Sequence, residues 1–281
     1  MSEFSTSATP AVGDTVGPYR LEEELGEGSM GIVFRATRTP GEVVALKVLK
    51  RALSDDEVYR SRFLREARVA AEVQHKHLVP IVDVGVADGH YYLASAYVRS
   101  GSLRVRIEAD GVLAVSEAVR LAADVAGALD ALHRRSLVHR DVTPANIVLT
   151  EAGDALLTDF GLAKGRAYTV LTRPGQVVGT PDYVAPELVK GETAAPASDI
   201  YSLGCVVYEC LTGSPPFGGR SLFELGVAHL KEEPHDPSEA RDDLPPWFGW
   251  TVLQALQKDP ARRPRTASTY ARMLRVAARG R

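Results

Sequence analysis

The chain has 281 residues, enough for one large domain or two smaller ones that each bury their own core. Hydrophobic residues make up 45% of it and charged residues 25%, a balance typical of soluble globular proteins. Its 33 basic and 36 acidic side chains give a formal net charge of −3 without a long run of one sign, which argues against a nucleic-acid-binding or membrane-binding surface.

The chain ends and the cysteines carry no targeting or cross-linking signal. Residues 1–17, MSEFSTSATPAVGDTVG, lack the basic and apolar segments of a signal peptide and predict a flexible leader. No apolar run reaches the roughly 18 residues of a membrane span. Cys205 and Cys210 lie in the apolar stretch YSLGCVVYECLTG, which predicts two buried thiols and not a disulfide or zinc site. Residues 278–281 predict a basic tail or the start of a linker.

From residue 19 to about 98 the pattern predicts mostly β-strands. YRLEEEL, GIVFRAT and VVALKVL are β-rich, and VPIVDVGVADGHYYLASAYV predicts a hairpin that turns at Asp88-Gly89. A helix is predicted in EVYRSRFLREARVAAEV, where apolar residues recur at helical spacing: Phe63, Ala67, Ala70 and Val73.

From about residue 101 onward helices dominate. SEAVRLAADVAGALDALHRRS predicts a long amphipathic helix, and further helices are predicted near 198–212, 221–231 and 266–277. The polar stretch 164–183 is longer than an ordinary connection, which indicates a functional loop. A β-rich region followed by a helical one predicts two lobes with a ligand-binding cleft between them.

The first chemical motif is GEGSMGIV, which matches G-x-G-x-x-G-x-V. Strand residues follow it, whereas a dinucleotide-binding loop would open a helix. The motif therefore favours a hairpin whose backbone N–H groups approach nucleotide phosphates without interference from side chains. Taken alone, an ordinary glycine-rich turn explains it equally well.

Two charged residues are candidates to act with this hairpin. Lys47 lies in the strand segment VALK, where an ammonium group can reach phosphates. Glu66 lies in the predicted helix, where its carboxylate can hold that ammonium by a charge-assisted bond. Singly, each is also explained as a solvated surface charge.

The segments HRDVTPAN and DFG carry the strongest signal. Asp141 and Asn146 lie in a loop after the long helix, and Asp159 follows the predicted short hairpin NIVLTEAGDALLT. Oxygen-bearing side chains brought together in this way suit Mg²⁺, which also retains waters and substrate phosphates.

In order and spacing, these segments resemble the eukaryotic-type (Hanks-type) serine/threonine protein kinase family in its bacterial-like form. GTPDYVAPE, DIYSLG and Arg263 in DPARRP extend the resemblance over residues 18–277. It implies an α+β bilobal fold: a small β-rich N-lobe with one main helix at about 18–98, a larger mainly helical C-lobe at about 99–277, and a nucleotide cleft between them.

The resemblance also implies the roles of individual residues. Lys47 binds the α- and β-phosphates of ATP and pairs with Glu66, and Asp141 accepts the proton of the substrate hydroxyl. Asn146 and Asp159 hold Mg²⁺, or Mn²⁺ in its place. The other ATP-binding positions carried over are Leu25, Gly26, Glu27, Gly28, Ser29, Met30, Gly31, Val33, Ala45, Ala96, Val98 and Val148.

Structural roles follow from the same resemblance. Glu187 of APE is expected to pair with Arg263, and Asp199 is expected to brace the catalytic loop. Thr180 lies in a segment that resembles the substrate-docking segment of serine/threonine kinases and not that of tyrosine kinases.

The loop before this segment is expected to carry the activating phosphate. Thr172 is the first predicted site and Thr169 the second, and a phosphate there could bridge Arg140 and Lys164 and so order the loop.

Two positions depart from the family pattern. Thr143 stands where serine/threonine kinases usually carry a lysine that contacts the transferred phosphate, so we expect a slower enzyme. Ser95 occupies the position that gates the pocket behind the adenine. Its small side chain either leaves extra space there or is accommodated by a larger neighbour.

The sequence therefore predicts an ATP-dependent serine/threonine protein kinase that autophosphorylates its activation loop. The alternative is a pseudokinase or scaffold that binds nucleotide with weak or no activity. A small-molecule phosphotransferase is disfavoured, because such enzymes lack the GTPDYVAPE segment. Protein substrates are the expected partners, with a homodimer as the arrangement for trans-autophosphorylation and no nucleic acid. The expected location is the cytoplasm, either alone or as the cytoplasmic part of a longer membrane-anchored protein.

Overall fold

The computed structural model describes residues 9–28, 30–51, 57–159, 181–241 and 243–280. These residues form two compact units. The first holds the described residues up to Glu72 together with Val79–Tyr97, and the second holds Val73–Leu78 and the described residues from Val98 onward.

The first unit is built on an antiparallel sheet. Its turn at Asp88-Gly89 has positive φ at both residues, the backbone that a tight hairpin needs, as predicted from the sequence. The strands are β1 (Thr15–Val16), β2 (Tyr19–Glu27), β3 (Gly31–Arg38), β4 (Glu42–Leu49), β5 (Ile81–Ala87) and β6 (His90–Ala96). Their order in the sheet is β1-β2-β3-β4-β6-β5.

The two faces of this sheet differ because side chains alternate along each strand. One face forms an apolar core that includes Phe34, Leu46 and Ala94, which are mutually paired across β3, β4 and β6. The residues between them on these strands point to the opposite face. The helix α1 (Glu57–Ala71) contacts β5 and buries the predicted apolar stripe at Phe63, Ala67 and Ala70.

The second unit is mainly helical. Its long helix α3 (Val115–His133) and the central helix α5 (Pro196–Thr212) pack together, and α5 is buried around most of its circumference, as expected for a helix that is apolar on all sides. A two-stranded hairpin, β7 (Ile147–Leu149) with β8 (Ala155–Leu157), lies in the same unit. The helices are α2 (Leu103–Asp110), α3 (Val115–His133), α4 (Pro186–Val189), α5 (Pro196–Thr212), α6 (Leu222–Lys231), α7 (Pro246–Leu253) and α8 (Ala267–Ala277).

Local sequence signals explain where several helices begin and end. Ser221 and Glu224 form a reciprocal capping box at the start of α6. Thr266 accepts a hydrogen bond from the backbone N–H of Thr269 at the start of α8 (3.0 Å). Gly213 adopts the left-handed conformation that ends α5 (φ 80°).

Three features differ from the sequence prediction. The predicted leader 1–17 includes Val16, which is fully buried and pairs with Tyr19, because β1 extends the sheet. Residues 73–78, predicted for the N-lobe, belong to the second unit, where His77 hydrogen-bonds the carbonyl of Ala155 (2.9 Å). Helix α7 was not predicted, because glycine lies inside PWFGWTVL and is unfavourable within a helix, although proline suits its first position.

Other predictions of structure are confirmed. Both cysteines are free and buried in α5, and helices occur close to the predicted ranges 198–212, 221–231 and 266–277.

Within the described part of the chain, no helix has both the length and the apolarity needed to cross a membrane.

Candidate active site

The glycine motif forms the turn between β2 and β3. The backbone N–H of Gly28 donates to the carbonyl of Gly31 (2.9 Å), and the N–H of Lys50 donates to the carbonyl of Met30 (2.9 Å). A side chain at Gly31 would place its Cβ 2.3 Å from the carbonyl oxygen of Val48, so close backbone approach requires glycine there. Ser29 lies outside the described residues.

The strand register places several predicted ATP-binding side chains on one face of the first unit's sheet. Lys47 pairs with Val33 on β3, and Ala45 pairs with Ser95 on β6. Ala45 and Lys47 alternate along β4 with core residues, so their side chains lie on the face opposite the core. Their partners Val33 and Ser95 lie on the same face. The Ser95 hydroxyl donates a long hydrogen bond to the carbonyl of Ala45 (3.4 Å).

The other N-terminal site residues are in the same unit. Gly26 pairs with Val33, Leu25 is partly exposed, and Ala96 ends β6. Glu66 lies on α1 and is half-buried, as Lys47 is on β4. Their pairing with each other stays a prediction.

In the second unit, Asp199 holds the backbone of the catalytic loop. Its carboxylate accepts hydrogen bonds from the N–H groups of His139 and Arg140, both at 2.8 Å, and contacts His133 Nε2 at 2.7 Å. Asp199 is only 1% exposed. Charge-assisted bonds to buried N–H groups fix a loop strongly, so the predicted bracing role of Asp199 is confirmed.

Further hydrogen bonds connect this loop to the segment that carries Asp159. The side-chain amide of Asn146 donates to the carbonyl of Asp141 (2.9 Å). The N–H of Thr158 donates to the carbonyl of Asn146 (2.9 Å), and His139 Nε2 lies 3.0 Å from the carbonyl of Thr158. The fold thus brings together the three residues that the sequence assigned to proton and metal chemistry.

This set of donors fits a magnesium ion. Because the amide nitrogen of Asn146 is engaged by Asp141, its side-chain oxygen is left to serve as a ligand. Asp159, next to Thr158, supplies carboxylate oxygens, and hard divalent cations prefer such oxygen ligands. Asp159 and Arg140 both have positive φ (57° and 65°), a conformation that is uncommon outside glycine and is often found at functional sites.

The predicted ion pair between Glu187 and Arg263 is confirmed. The guanidinium donates to both carboxylate oxygens at 2.8 Å, and Ser198 Oγ also donates to Glu187 (2.7 Å). Burial alone would raise the pKa of Glu187, but the bonds from Arg263 outweigh it and lower that pKa. The Arg263 guanidinium also lies 4.9 Å from the centre of the Tyr201 ring.

The docking segment rests on a polar cluster that the sequence analysis missed. Arg104 Nη1 donates to Glu209 Oε1 (2.7 Å), Tyr183 Oη donates to Glu209 Oε2 (2.5 Å), and Arg104 Nη2 donates to Tyr183 Oη. Burial raises the pKa of Glu209 in spite of these partners. The signal that could have revealed this cluster is an acidic residue within the apolar stretch YSLGCVVYECLTG.

A second missed residue is His229 on α6, which is fully buried. Its Nδ1 lies 2.8 Å from the hydroxyl of Tyr201. Among the described residues, no group forms a well-aligned hydrogen bond with its Nε2. The nearby backbone of Pro181 and Asp182 nevertheless acts to raise the pKa of the imidazole. Burial is the larger effect and lowers the pKa to about 3.

The remaining predicted positions are placed as follows. Thr143 precedes the 3-10 turn Pro144–Asn146 and is 3% exposed. Val148 lies on β7, and Val98 lies in the second unit. The three threonines predicted for activation and docking lie outside the described residues: Thr169, Thr172 and Thr180.

Comparison with known families identifies the chain's relatives. Residues 19–273 match the protein kinase domain family. The chain belongs to this family. The kinase domain includes every segment on which the resemblance was based, from GEGSMGIV to DPARRP.

Curated relatives of this kinase domain are serine/threonine-protein kinases of Mycobacterium tuberculosis. It is 39% identical to PknD over 268 residues, which cover 95% of this chain and 40% of PknD. It is 41% identical to PknE over 249 residues, which cover 88% of this chain and 44% of PknE. The chain therefore spans less than half the length of these relatives.

Solved structures show the same fold. A crystal structure of the Mycobacterium tuberculosis PknI kinase domain superposes with a TM-score of 0.77 at 32% identity, covering 95% of this chain and 99% of that one. The β-rich first unit and the helical second unit accordingly have the bilobal α+β kinase fold predicted from the sequence.

Proposed function

We propose that this chain is an ATP- and Mg²⁺-dependent serine/threonine protein kinase that transfers the γ-phosphate of ATP to hydroxyl groups of protein substrates. The observation that supports the proposal is the hydrogen-bonded connection between the loop that carries Asp141 and Asn146 and Thr158, the residue before Asp159. Family membership and the serine/threonine-kinase relatives support the same conclusion.

In this proposal the chain's own residues divide the work as in other kinases. Asp141 accepts the proton of a serine or threonine hydroxyl as its oxygen forms the new bond to the γ-phosphorus. The bond from that phosphorus to the bridging oxygen breaks, and ADP leaves. Lys47 and the glycine-rich hairpin bind the phosphates from the first unit.

Asn146 and Asp159 would hold the metal. When bound, Mg²⁺ supplies positive charge that stabilises the phosphates during transfer. Asp199 keeps the catalytic loop in place through the N–H groups of His139 and Arg140, so Asp141 does not have to be ordered when substrate arrives.

The serine/threonine specificity rests on the docking segment GTPDYVAPE, which includes Thr180. Tyr183, which is buried and bonded to Glu209, gives this segment a fixed base in the second unit. Because ATP is a cytoplasmic metabolite, we propose that the domain acts in the cytoplasm. We also propose that it is activated by autophosphorylation between two copies.

One observation favours a second candidate, a nucleotide-binding domain with weak or no activity. Thr143 lacks the charge that a lysine would bring to the transferred phosphate, and a charge-assisted bond is worth roughly 1.5–3 kcal/mol. This loss slows catalysis by about ten- to a hundredfold and does not abolish it, because Lys47 and both metal-binding residues remain.

The test is incubation of the purified chain with ATP and Mg²⁺ followed by intact-mass measurement. We expect mass increments of phosphate in the wild type and none in Lys47→Met, Asp141→Asn or Asp159→Asn. Matched controls make the same changes at exposed positions, Lys76→Met and Asp154→Asn, and keep activity.

Circular dichroism and thermal unfolding check that each variant is folded. Substantial phosphorylation by a folded Asp159→Asn or Lys47→Met variant contradicts the catalytic assignment. Nucleotide-dependent thermal stabilisation without any phosphate transfer by the wild type, toward itself or a mixture of generic protein substrates, favours the second candidate.

A further inference from the structure

Helix α7 exposes two large aromatic side chains on one side. Trp247 is 54% exposed and Trp250 is 58% exposed, while Phe248 and Val252 on the same helix are buried. Residues three apart on a helix are neighbours on its surface. Single exposed apolar residues are normal, but adjacent exposed tryptophans on one helix indicate an interaction surface.

This surface continues onto the end of α8. The indole N–H of Trp247 donates to the carbonyl of Ala277 (3.2 Å), the last residue of that helix. The neighbouring Val276 is 49% exposed. We call Trp247, Trp250 and Val276 the aromatic edge.

A basic stripe adjoins the aromatic edge. Arg272, Arg275 and Arg279 are all exposed and recur at spacings of three and four residues, so they share one side of α8 and its C-terminal turn. Among the residues that the structure describes, none of the three has an ion-pair partner. Ala277, which Trp247 contacts, lies between Arg275 and Arg279, within about one helical turn of each.

The C-terminal segment that contains this stripe has no acidic residue of its own. From residue 267 to the end of the chain there are four arginines and no aspartate or glutamate. Asp243, which precedes α7, is already engaged by two hydrogen bonds from Arg241 (2.8 and 2.6 Å). The net charge of −3 for the whole chain therefore does not describe this segment, in which every charged residue is basic.

We propose that the aromatic edge and the basic stripe form a peripheral binding surface for anionic phospholipid bilayers. Indole rings favour the boundary between lipid headgroups and acyl chains, where an apolar body and a polar N–H are both satisfied. Guanidinium groups beside them are attracted to anionic lipid phosphates. The contact would hold the helical unit of the kinase at a membrane surface without any spanning segment.

A bilayer fits this surface better than a protein partner. The cores of protein interfaces are depleted of charged residues, and their rims pair charges of both signs. Here one sign of charge lies directly beside the apolar residues. A second copy of the chain would present the same basic stripe and so be repelled.

The composition of the chain makes a direct test available. Trp247 and Trp250 are its two tryptophans, so tryptophan fluorescence reports on the aromatic edge without labelling. The purified chain is mixed with vesicles of phosphatidylcholine alone or with added phosphatidylglycerol, without ATP. We expect cosedimentation and a blue shift of tryptophan emission only with the anionic vesicles, and both effects weaken as salt is raised.

Two variants separate the components of the surface. Arg272→Gln combined with Arg275→Gln and Arg279→Gln should weaken binding by about tenfold or more. Trp250→Ala should weaken it severalfold and leaves the Trp247–Ala277 hydrogen bond in place. Matched controls are Arg20→Gln combined with Arg65→Gln and Arg68→Gln, and Phe223→Ala, which remove exposed arginines and an exposed aromatic residue elsewhere.

Equal affinity for neutral and anionic vesicles overturns the proposal, as does cosedimentation without a change in tryptophan emission or equal loss in the control variants. A dimer that depends on Trp250, found by analytical ultracentrifugation without vesicle binding, assigns the surface to a second copy instead. Because lipid binding is measured without ATP, its outcome is independent of the proposed kinase activity.

Discussion

Thr143 is a buried residue in the catalytic loop, two positions after Asp141. Its carbonyl accepts a hydrogen bond from the N–H of Asn146 (3.0 Å), so its backbone helps shape the turn that carries Asn146, a predicted metal ligand. Its side chain is neutral, whereas the family pattern has a cation there. The residue is therefore either a tolerated loss of charge or part of a site arranged around threonine.

Single-turnover rates at saturating ATP distinguish these cases. If charge is simply missing, Thr143→Lys raises the phosphoryl-transfer rate by at most about a hundredfold, and Thr143→Ala lowers it only a few-fold. A clear decrease for Thr143→Lys, in a variant that still binds ATP normally, shows instead that another cation already occupies that role.

His229 is a buried base between α6 and the docking segment. Burial, with a contribution from the charge of Lys258, lowers its pKa to about 3, so it is neutral in the folded protein at ordinary pH. In the unfolded chain its pKa is about 6.5, and the unfolded state therefore binds more protons between these values. Stability accordingly rises with pH from about 3 to 6.5 and is unaffected by this residue above that range.

Because of His229, we expect the free energy of unfolding to be about 2 kcal/mol lower at pH 5 than at pH 7. Urea unfolding of the wild type and of His229→Gln at both pH values measures the effect, since glutamine can keep a hydrogen bond to Tyr201 but does not titrate. The same loss of stability on acidification in both proteins would falsify the assignment to His229.

At the scale of elements, α5 organises the second unit. Near its beginning Asp199 holds the catalytic loop, and Ser202 Oγ donates to the carbonyl of Tyr183 (2.7 Å). Near its end the carboxylate of Glu209 accepts a hydrogen bond from the hydroxyl of Tyr183. One buried helix thus positions both the loop that carries Asp141 and the segment that contains Tyr183, and Ser198 extends its contacts to the ion pair of Glu187 with Arg263.

We expect Glu187→Gln to destabilise the folded protein by about 3–5 kcal/mol, because it leaves the Arg263 guanidinium buried without its counter-charge. Glu187→Gln combined with Arg263→Met should be less destabilising than the single change. The exposed pair of Arg220 and Glu232 is the control, and Glu232→Gln should change stability by no more than about 1 kcal/mol.

Chemical denaturation at neutral pH measures all three variants. Because the folded-state pKa of Glu187 is lowered, its contribution is present above the ordinary glutamate pKa and is lost as pH falls through the folded value. A Glu187→Gln variant as stable as the control would show that the buried pair does not support the fold.

At the scale of the whole molecule, the kinase residues are divided between two units. Lys47 and the glycine-rich hairpin belong to the first, and Asp141, Asn146 and Asp159 belong to the second. Residues 160–180 connect Asp159 to the docking segment along the chain and contain both predicted activation sites.

We expect active enzyme to carry phosphate on Thr172, or on Thr169, because a group of charge near −2 can bind nearby cations and order the loop. Thr172→Ala should lower activity toward added substrate by about tenfold or more, and the exposed Thr193→Ala should have no effect. Peptide mapping of the active protein checks the sites, and the absence of phosphate from both threonines contradicts the prediction.

Local patterns alone determined much of this protein. The hairpin at Asp88-Gly89, the apolar stripe of α1 and the buried cysteines of α5 follow from short-range spacing and turn chemistry, which depend on neighbours within a few residues. The ordered motifs from GEGSMGIV to DPARRP also sufficed to assign the family. Helix α7 escaped prediction because tertiary packing stabilises it in spite of the low helix preference of its internal glycine.

Contacts between distant parts of the chain were decided only by the tertiary structure. Arg104 and Glu209 are 105 residues apart and meet at Tyr183, and no local pattern specifies such a pairing. Trp247 meets Ala277 in the same way, which places the aromatic edge beside the basic stripe although the chain as a whole is slightly acidic. The physical reason is that spacing along a sequence reports which side chains share a face, whereas the packing of whole elements determines which faces meet.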